Sequence, residues 1–208
     1  MPRSIHGTDA SALRFARWVS LLCNPLIIGV PVVLAIGIKE HGGFRPEHVV
    51  PALECIAVLC LVPLVYTLVL VRKGIIQDFH VTDRKQRIYL FPVLLACFAL
   101  GGWILYHTGG MSRLILALLG FGLVNCLLCA LISMRFKISL HCAGLASLAV
   151  GVYYSFGPYS LLPSLGILVI TAWSRLRLKE HTSPEVVAGS LFGIIVTGAE
   201  LYVTIGAP

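Results

Sequence analysis

Charge is what this chain has least of. Of its 208 residues, 12% are Asp, Glu, Lys or Arg and 58% are hydrophobic, whereas a soluble domain carries about 25% charged residues. That balance excludes a soluble globular domain and predicts an integral membrane protein. The two-residue alternation of a lipid-facing barrel strand is also missing, which leaves helices as the way to satisfy the backbone inside a bilayer. No Ala-x-Ala cleavage site follows the first apolar run, and that run is too long for a signal-peptide core, so it is expected to remain as a helix. The seven cysteines, Cys23, Cys55, Cys60, Cys97, Cys126, Cys129 and Cys142, all lie inside apolar runs, where they act as small hydrophobes and imply no disulfide framework. His-Glu-x-x-His and Asp-rich clusters are absent too, so the sequence offers no metal site and no cofactor is expected. Internal repeats, low-complexity tracts and any signal of oligomeric state are missing as well.

What is present is a succession of apolar segments, each close to the roughly 20 residues that a helix needs to cross a bilayer. A polar, basic tail over 1–17, expected to lie on the membrane surface or to be disordered, precedes a single membrane-embedded domain over 18–208. The expected spans are 18–38 (kinked at Pro25 and Pro31), 50–71, 88–107, 113–134, 139–156, 159–173 and 184–205. The predicted fold class is therefore all-α, a polytopic transmembrane helical bundle of about seven spans, or six if Gly157-Pro158 does not separate two. Thirteen of the 16 Lys and Arg residues fall in the tail and in the links after the second, fourth and sixth spans. By the positive-inside rule these regions are cytoplasmic, and a multi-pass protein of the cell inner membrane is expected. The formal net charge of +7 sits in short loops between spans, which favours anionic headgroups and phosphorylated lipids as partners over nucleic acid.

Chemistry concentrates in the last of those links, SRLRLKEHTSPEVVAG over 174–189. Arg175 offers a planar fork of donors, His181 can serve as nucleophile or base, and Glu185 can orient that ring. Ser183-Pro184-Glu185 has the pattern of an N-cap, a first-turn proline and a first-turn acid, so a helix is expected to begin just after His181. Ser174-Arg175, five residues, His181, three residues and Glu185 resemble the third signature of the type-2 phosphatidic acid phosphatase superfamily. That family consists of membrane lipid phosphatases, with soluble acid phosphatase and vanadium haloperoxidase relatives. Its second signature is Pro-Ser-Gly-His; Ser139 and His141 match it, while Ile138 and Leu140 depart from it. Its first is Lys, six residues, Arg-Pro; here Lys85 and Pro92 are seven apart, the Arg before the Pro is missing with Phe91 in its neighbourhood, and Arg84 or Arg87 could replace that cation. Two expected spans separate each motif from the next, which places all three on one face of the membrane.

The resemblance implies that His181 attacks phosphorus to form a phosphohistidine, with Glu185, an Asp in the family, holding its ring. His141 would protonate the leaving oxygen and then activate water, and Arg175 would clamp the equatorial oxygens. Ser139 would cap the fifth span, whose free N–H groups face the same rim, and Lys85, Arg84 and Arg87 would share the phosphate. The expected reaction is metal-independent hydrolysis of a phosphate monoester or diphosphate on a membrane lipid. Phosphatidic acid, phosphatidylglycerophosphate and prenyl phosphates or diphosphates all fit. Two alternatives stand beside it: an inactive member that binds phosphorylated lipid or a membrane partner, suggested by the altered first and second motifs, and a small transporter, suggested by the intramembrane acids Glu54 and Glu200. Those two acids are expected in interfacial or hydrogen-bonded structural roles, and Asp78 and His80 as solvated loop residues. A reporter fused at the C-terminus is predicted to read extracytoplasmic and one inserted in the 72–87 link cytoplasmic; a cytoplasmic C-terminal signal would remove one span from the count.

Overall fold

The computed structural model describes residues 6–40, 42–43, 53–54, 56–108 and 113–207, and all its regular elements among them are helical. Helices α1 (His6–Leu22) and α2 (Pro25–Glu40) are followed by a π-helical turn (Ala57–Leu61) that runs into α3 (Val62–Arg72). A 3-10 turn (Arg84–Tyr89) leads into α4 (Phe91–Thr108), and α5 (Arg113–Arg135) and α6 (Leu140–Phe156) follow. The 3-10 turn Pro158–Ser160 opens α7 (Leu161–Arg177), and α8 (Ser183–Ile205) ends the bundle. Cys55 and positions 50–52 of the second expected span lie outside the described residues.

Four of these elements are long and apolar enough to cross a membrane unaided: Arg84–Ile104, α5, Pro158–Arg177 and α8. The bent pair α1–α2 makes a fifth if it counts as one span, while Ala57–Arg72 and α6 are apolar but shorter. A break between α6 and α7 does occur at Gly157, whose φ of 76° suits a residue without a side chain.

The N-terminal segment differs from the expected tail. It is helical from His6, because Ala12, Ala16 and Ser20, spaced one turn apart, give α1 a narrow face that reaches α7 closely. Ala16 and Ser20 are fully buried, the Ser174 hydroxyl donates to the Ala16 carbonyl at 2.7 Å, and the Phe15 and Trp173 rings lie 5.8 Å apart. Nor does the first apolar run kink only at its prolines. It breaks at Cys23-Asn24 and turns by 47°, since Pro25 has no N–H to continue α1 and the Asn24 side chain caps α2 by accepting from the Leu26 N–H at 2.9 Å.

The centre of the bundle is the contact between α6 and α8. A Cβ added to Gly189 would lie 2.5 Å from the Ser139 carbonyl oxygen, and one added to Gly193 would lie 2.3 Å from that of Ala143. These glycines sit one turn apart, so the two backbones touch in the small-xxx-small manner of membrane helices. Elsewhere on α6, a Cβ on Gly144 would meet the Pro25 ring at 2.8 Å, which seats α2 against the same helix. Asn125 on α5 adds polar links, donating to Thr197 at 3.0 Å and to Glu200 at 3.1 Å, and Thr197 donates to Ser147 at 2.9 Å. Glu200 is thus hydrogen-bonded within the bundle, and Glu54 is exposed. Gly193→Val should destabilise the purified protein by about 1–3 kcal/mol or more through overpacking, read as a lower unfolding midpoint in detergent. Gly198→Ala, on the same helix with open space around it, should not lower that midpoint.

Candidate functional site

The first turn of α8 organises the site. Its N-cap is Thr182, one residue earlier than the sequence suggests, and Glu185 completes a capping box by accepting from the Thr182 N–H at 3.3 Å. The same carboxylate oxygen lies 2.7 Å from His181 Nδ1. A carboxylate can only accept, so Nδ1 carries the proton and Nε2 keeps its lone pair. Burial pushes the His181 pKa down to about 4; the Glu185 hydrogen bond opposes that shift, and the charges of Arg175, Lys137 and Arg87 add to it.

His181 is brought back over the end of α7 by a tight turn. Lys179 adopts a φ of 56°, and the N–H groups of Glu180 and His181 both donate to the Arg175 carbonyl, at 3.2 and 3.4 Å. Two links then tie this turn to the start of α6: the Ser139 N–H donates to the Glu185 carbonyl at 3.0 Å, and Lys137 Nζ donates to the Glu180 carbonyl at 2.7 Å. Lys137 Nζ also stands 3.8 Å from the Glu185 carboxylate.

Ser139 caps α6 as expected, its hydroxyl accepting from the Cys142 N–H at 3.4 Å. That cap starts the helix so that His141, in its first turn, points into the packed interior and is buried. His141 lies within electrostatic reach of His80, His181, Arg175 and Arg87, and its Nε2 has no hydrogen-bond partner among the described residues.

His80 departs from the expected solvated loop. Its ring meets the His141 ring edge-on at 4.9 Å, and its buried Nδ1 is also unpartnered. The loop folds inward because Ile76 and Val81 pack under Leu70, and because the Asp78 carboxylate holds the Thr82 N–H and hydroxyl at 3.2 and 3.1 Å. Burial, with help from Arg175 and against the pull of Asp78, takes the His80 pKa down to about 4.

Arg175 is wholly buried at the end of α7. Its Nη1 donates to the Ser20 hydroxyl at 2.7 Å and pairs with the Glu180 carboxylate, while Nε and Nη2 have no partner among the described residues. Burial raises the Glu180 pKa, and Arg175 opposes that rise.

The cations of the first motif separate. Arg87 is buried with all three nitrogens engaged by protein: Nε on the Val81 carbonyl at 3.3 Å, Nη1 on the Ser133 hydroxyl at 3.1 Å and Nη2 on the Ile138 carbonyl at 3.1 Å. It clamps the 72–87 link to the approach to α6. Arg84 caps the C-terminus of α5 through the Met134 carbonyl at 2.7 Å, and Lys85 is exposed. The structure therefore brings together His181, Glu185, Arg175, His141 and Ser139, sets Arg87 behind them, and leaves Arg84 and Lys85 outside.

Three neighbours were not picked out from the sequence, Lys137, Glu180 and Ser20, and a fourth, His80, was expected as a solvated loop residue. Lys137 stands two residues before Ser139 and could have been noticed there. Ser20 carries no local signal, being 155 residues from the arginine it meets. Comparisons with family models, curated proteins and solved structures find no match to this chain. What the site can do follows from its own geometry.

His80 and His181 are neutral in the folded chain down to about pH 4, whereas an unfolded imidazole titrates near 6.5. Between those values the unfolded chain binds more protons, so stability is full above about pH 6.5 and declines as pH falls. The unfolding midpoint should drop between pH 7.5 and pH 5, and the double variant His80→Gln/His181→Gln should show a shallower drop.

Proposed function

We propose that this protein is a membrane lipid phosphatase that hydrolyses a phosphate monoester or diphosphate without a metal, through a phosphohistidine on His181. One observation carries the reading. A neutral imidazole with its Nε2 lone pair free stands beside buried donors without partners, Arg175 Nε and Nη2, at an end of the bundle also reached by His141. Buried polar groups are seldom left unpaired, and a guanidinium with two spare N–H groups suits an oxyanion.

In the proposed reaction Arg175 holds the equatorial oxygens of the phosphoryl group, where charge must be stabilised during transfer. His181 Nε2 attacks phosphorus, and Glu185 keeps the ring oriented and stabilises the proton on Nδ1 as positive charge develops. His141, protonated once the anionic headgroup is bound, gives that proton to the leaving oxygen and then takes one from the water that cleaves the P–N bond, returning both rings to their states in the substrate complex. The exposed apolar side chains that ring the bundle, among them Trp18, Leu162 and Val203, suit a bilayer surround, so the headgroup of a membrane-held lipid meets the cations without leaving the membrane. The cytoplasmic placement of this end follows the charge asymmetry of the links and belongs to the same proposal.

Phosphate release from lipid mono- and diphosphates in mixed micelles, measured with EDTA present, tests this reading. Wild type should be active. His181→Ala should abolish turnover, Arg175→Met should reduce kcat/KM by about 10²–10³-fold, and His141→Gln should reduce it by about 10²–10⁴-fold. No release from any lipid by a monodisperse wild-type protein would overturn the proposal.

A further inference from the structure

Inside the bundle lies a cavity of about 310 Å³, walled by α2, the π-turn before α3, and α4, α5, α6 and α8. His80 and His141 form part of its wall at the end shared with the candidate site, and on α6 the wall continues as far as Gly151. At about 1.5 Å per residue, the stretch from His141 to Gly151 rises about 15 Å. That is half of a hydrocarbon core about 30 Å thick, or the depth of one leaflet.

The wall is mostly aliphatic and aromatic, with Val33, Leu59, Phe98, Leu118 and Leu148 among its residues. Polar Asn125, Ser147 and Thr197 on the same wall hydrogen-bond through Thr197, while Asn125 Oδ1 has no partner among the described residues. A mostly apolar, partly open cavity of this kind suits a hydrocarbon occupant better than water.

The dimensions fix how much of one. On α5 the wall runs from Ile115 to Cys129, about 21 Å, so a volume of about 310 Å³ spread over about 15–21 Å gives a mean cross-section of about 15–20 Å². Carbon atoms pack at about 4 Å, so one chain fills about 13–16 Å² and two chains do not fit. At about 30 Å³ per water-sized group, the cavity holds roughly ten such groups.

We infer that this cavity binds a single hydrocarbon chain segment of about ten carbons, so that the lipid phosphate presented at the His80–His141 end is a single-chain one. The headgroup part of this statement rests on the phosphatase reading; the chain part does not. A two-chain lipid would have to leave its second chain outside the bundle.

The test uses the full-length protein in detergent and measures binding of n-alkylphosphonates with four, ten and sixteen carbons, a phosphonate carrying two ten-carbon chains, and decanol. Affinity should rise by about threefold to fourfold per added methylene up to about ten carbons, and sixteen carbons should add less than about threefold beyond that, because the cavity is then full. The two-chain phosphonate should bind no more tightly than the single-chain one.

Gly29 is on the wall, and a Cβ there meets only Cys60 Sγ at 3.8 Å, so Gly29→Leu can enter the cavity without backbone conflict. It should shrink the ten-to-four-carbon affinity ratio to below about threefold. Val33→Phe serves the same purpose if Gly29→Leu does not keep the wild-type unfolding midpoint. Affinity that keeps climbing past ten carbons, tighter two-chain binding, or a ratio unchanged in both folded variants would overturn the inference. Decanol held by wild type but not by the filled variants, with no added affinity from any phosphonate headgroup, would uphold the chain site and overturn the phosphatase reading.

Discussion

Everything at the candidate site depends on two helix backbones touching. Gly189 and Gly193 let α8 lie directly on the first turns of α6, with no room for even a methyl group. Within a bilayer, apolar side chains gain little by leaving lipid for one another, so close backbone packing and hydrogen bonds are what hold helices in register. The contact sets the height of His141 relative to His181. It also brings the Ser139 N–H to the Glu185 carbonyl, so that the caps of both helices form one interlocked unit. A shift of one residue along α6 would turn His141 about 100° away from its neighbours.

Burial is the second constraint. The end of the bundle gathers Arg175, Arg87 and Lys137 near the imidazoles, and burial holds the rings of His80 and His181 in the neutral form. Desolvation and neighbouring positive charge both favour the neutral form, and at His181 only the Glu185 hydrogen bond works in the other direction. Glu185 thus acts twice, terminating α8 correctly and fixing which nitrogen of His181 bears the proton. The same economy holds for Arg87, whose three nitrogens join a loop, a helix end and the segment leading into α6.

Much of this architecture was legible from residue pattern. Apolar run lengths located the helices, and Ser183-Pro184-Glu185 announced the start of α8 to within one residue, because capping chemistry is local. The pairing of His181 with Glu185 followed from the same locality, four residues being one helical turn. The N-terminal helix was obscured because its packing face is made of Ala and Ser, which register as polar or indifferent in any hydropathy count and become informative only when α7 is known to lie alongside. His80 was obscured for a related reason. Its loop reads as hydrophilic, yet Ile76 and Val81 draw it inward, and two apolar residues in a polar link do not reveal which surface they will cover. Ser20 and Glu180 belong to Arg175 only through tertiary structure.

The pairing of Glu180 with Arg175 has a consequence for any anion that enters. The guanidinium is already met on Nη1 by a carboxylate of the same chain, so part of its charge is balanced before an anion arrives, and bare electrostatic attraction would discriminate poorly among visitors. What would discriminate is reach. Glu180 is tethered to a turn and leaves Nε and Nη2 unused, whereas a freely rotating group with three oxygens could engage several donors at once, making the pocket selective for the shape of an oxyanion above its charge.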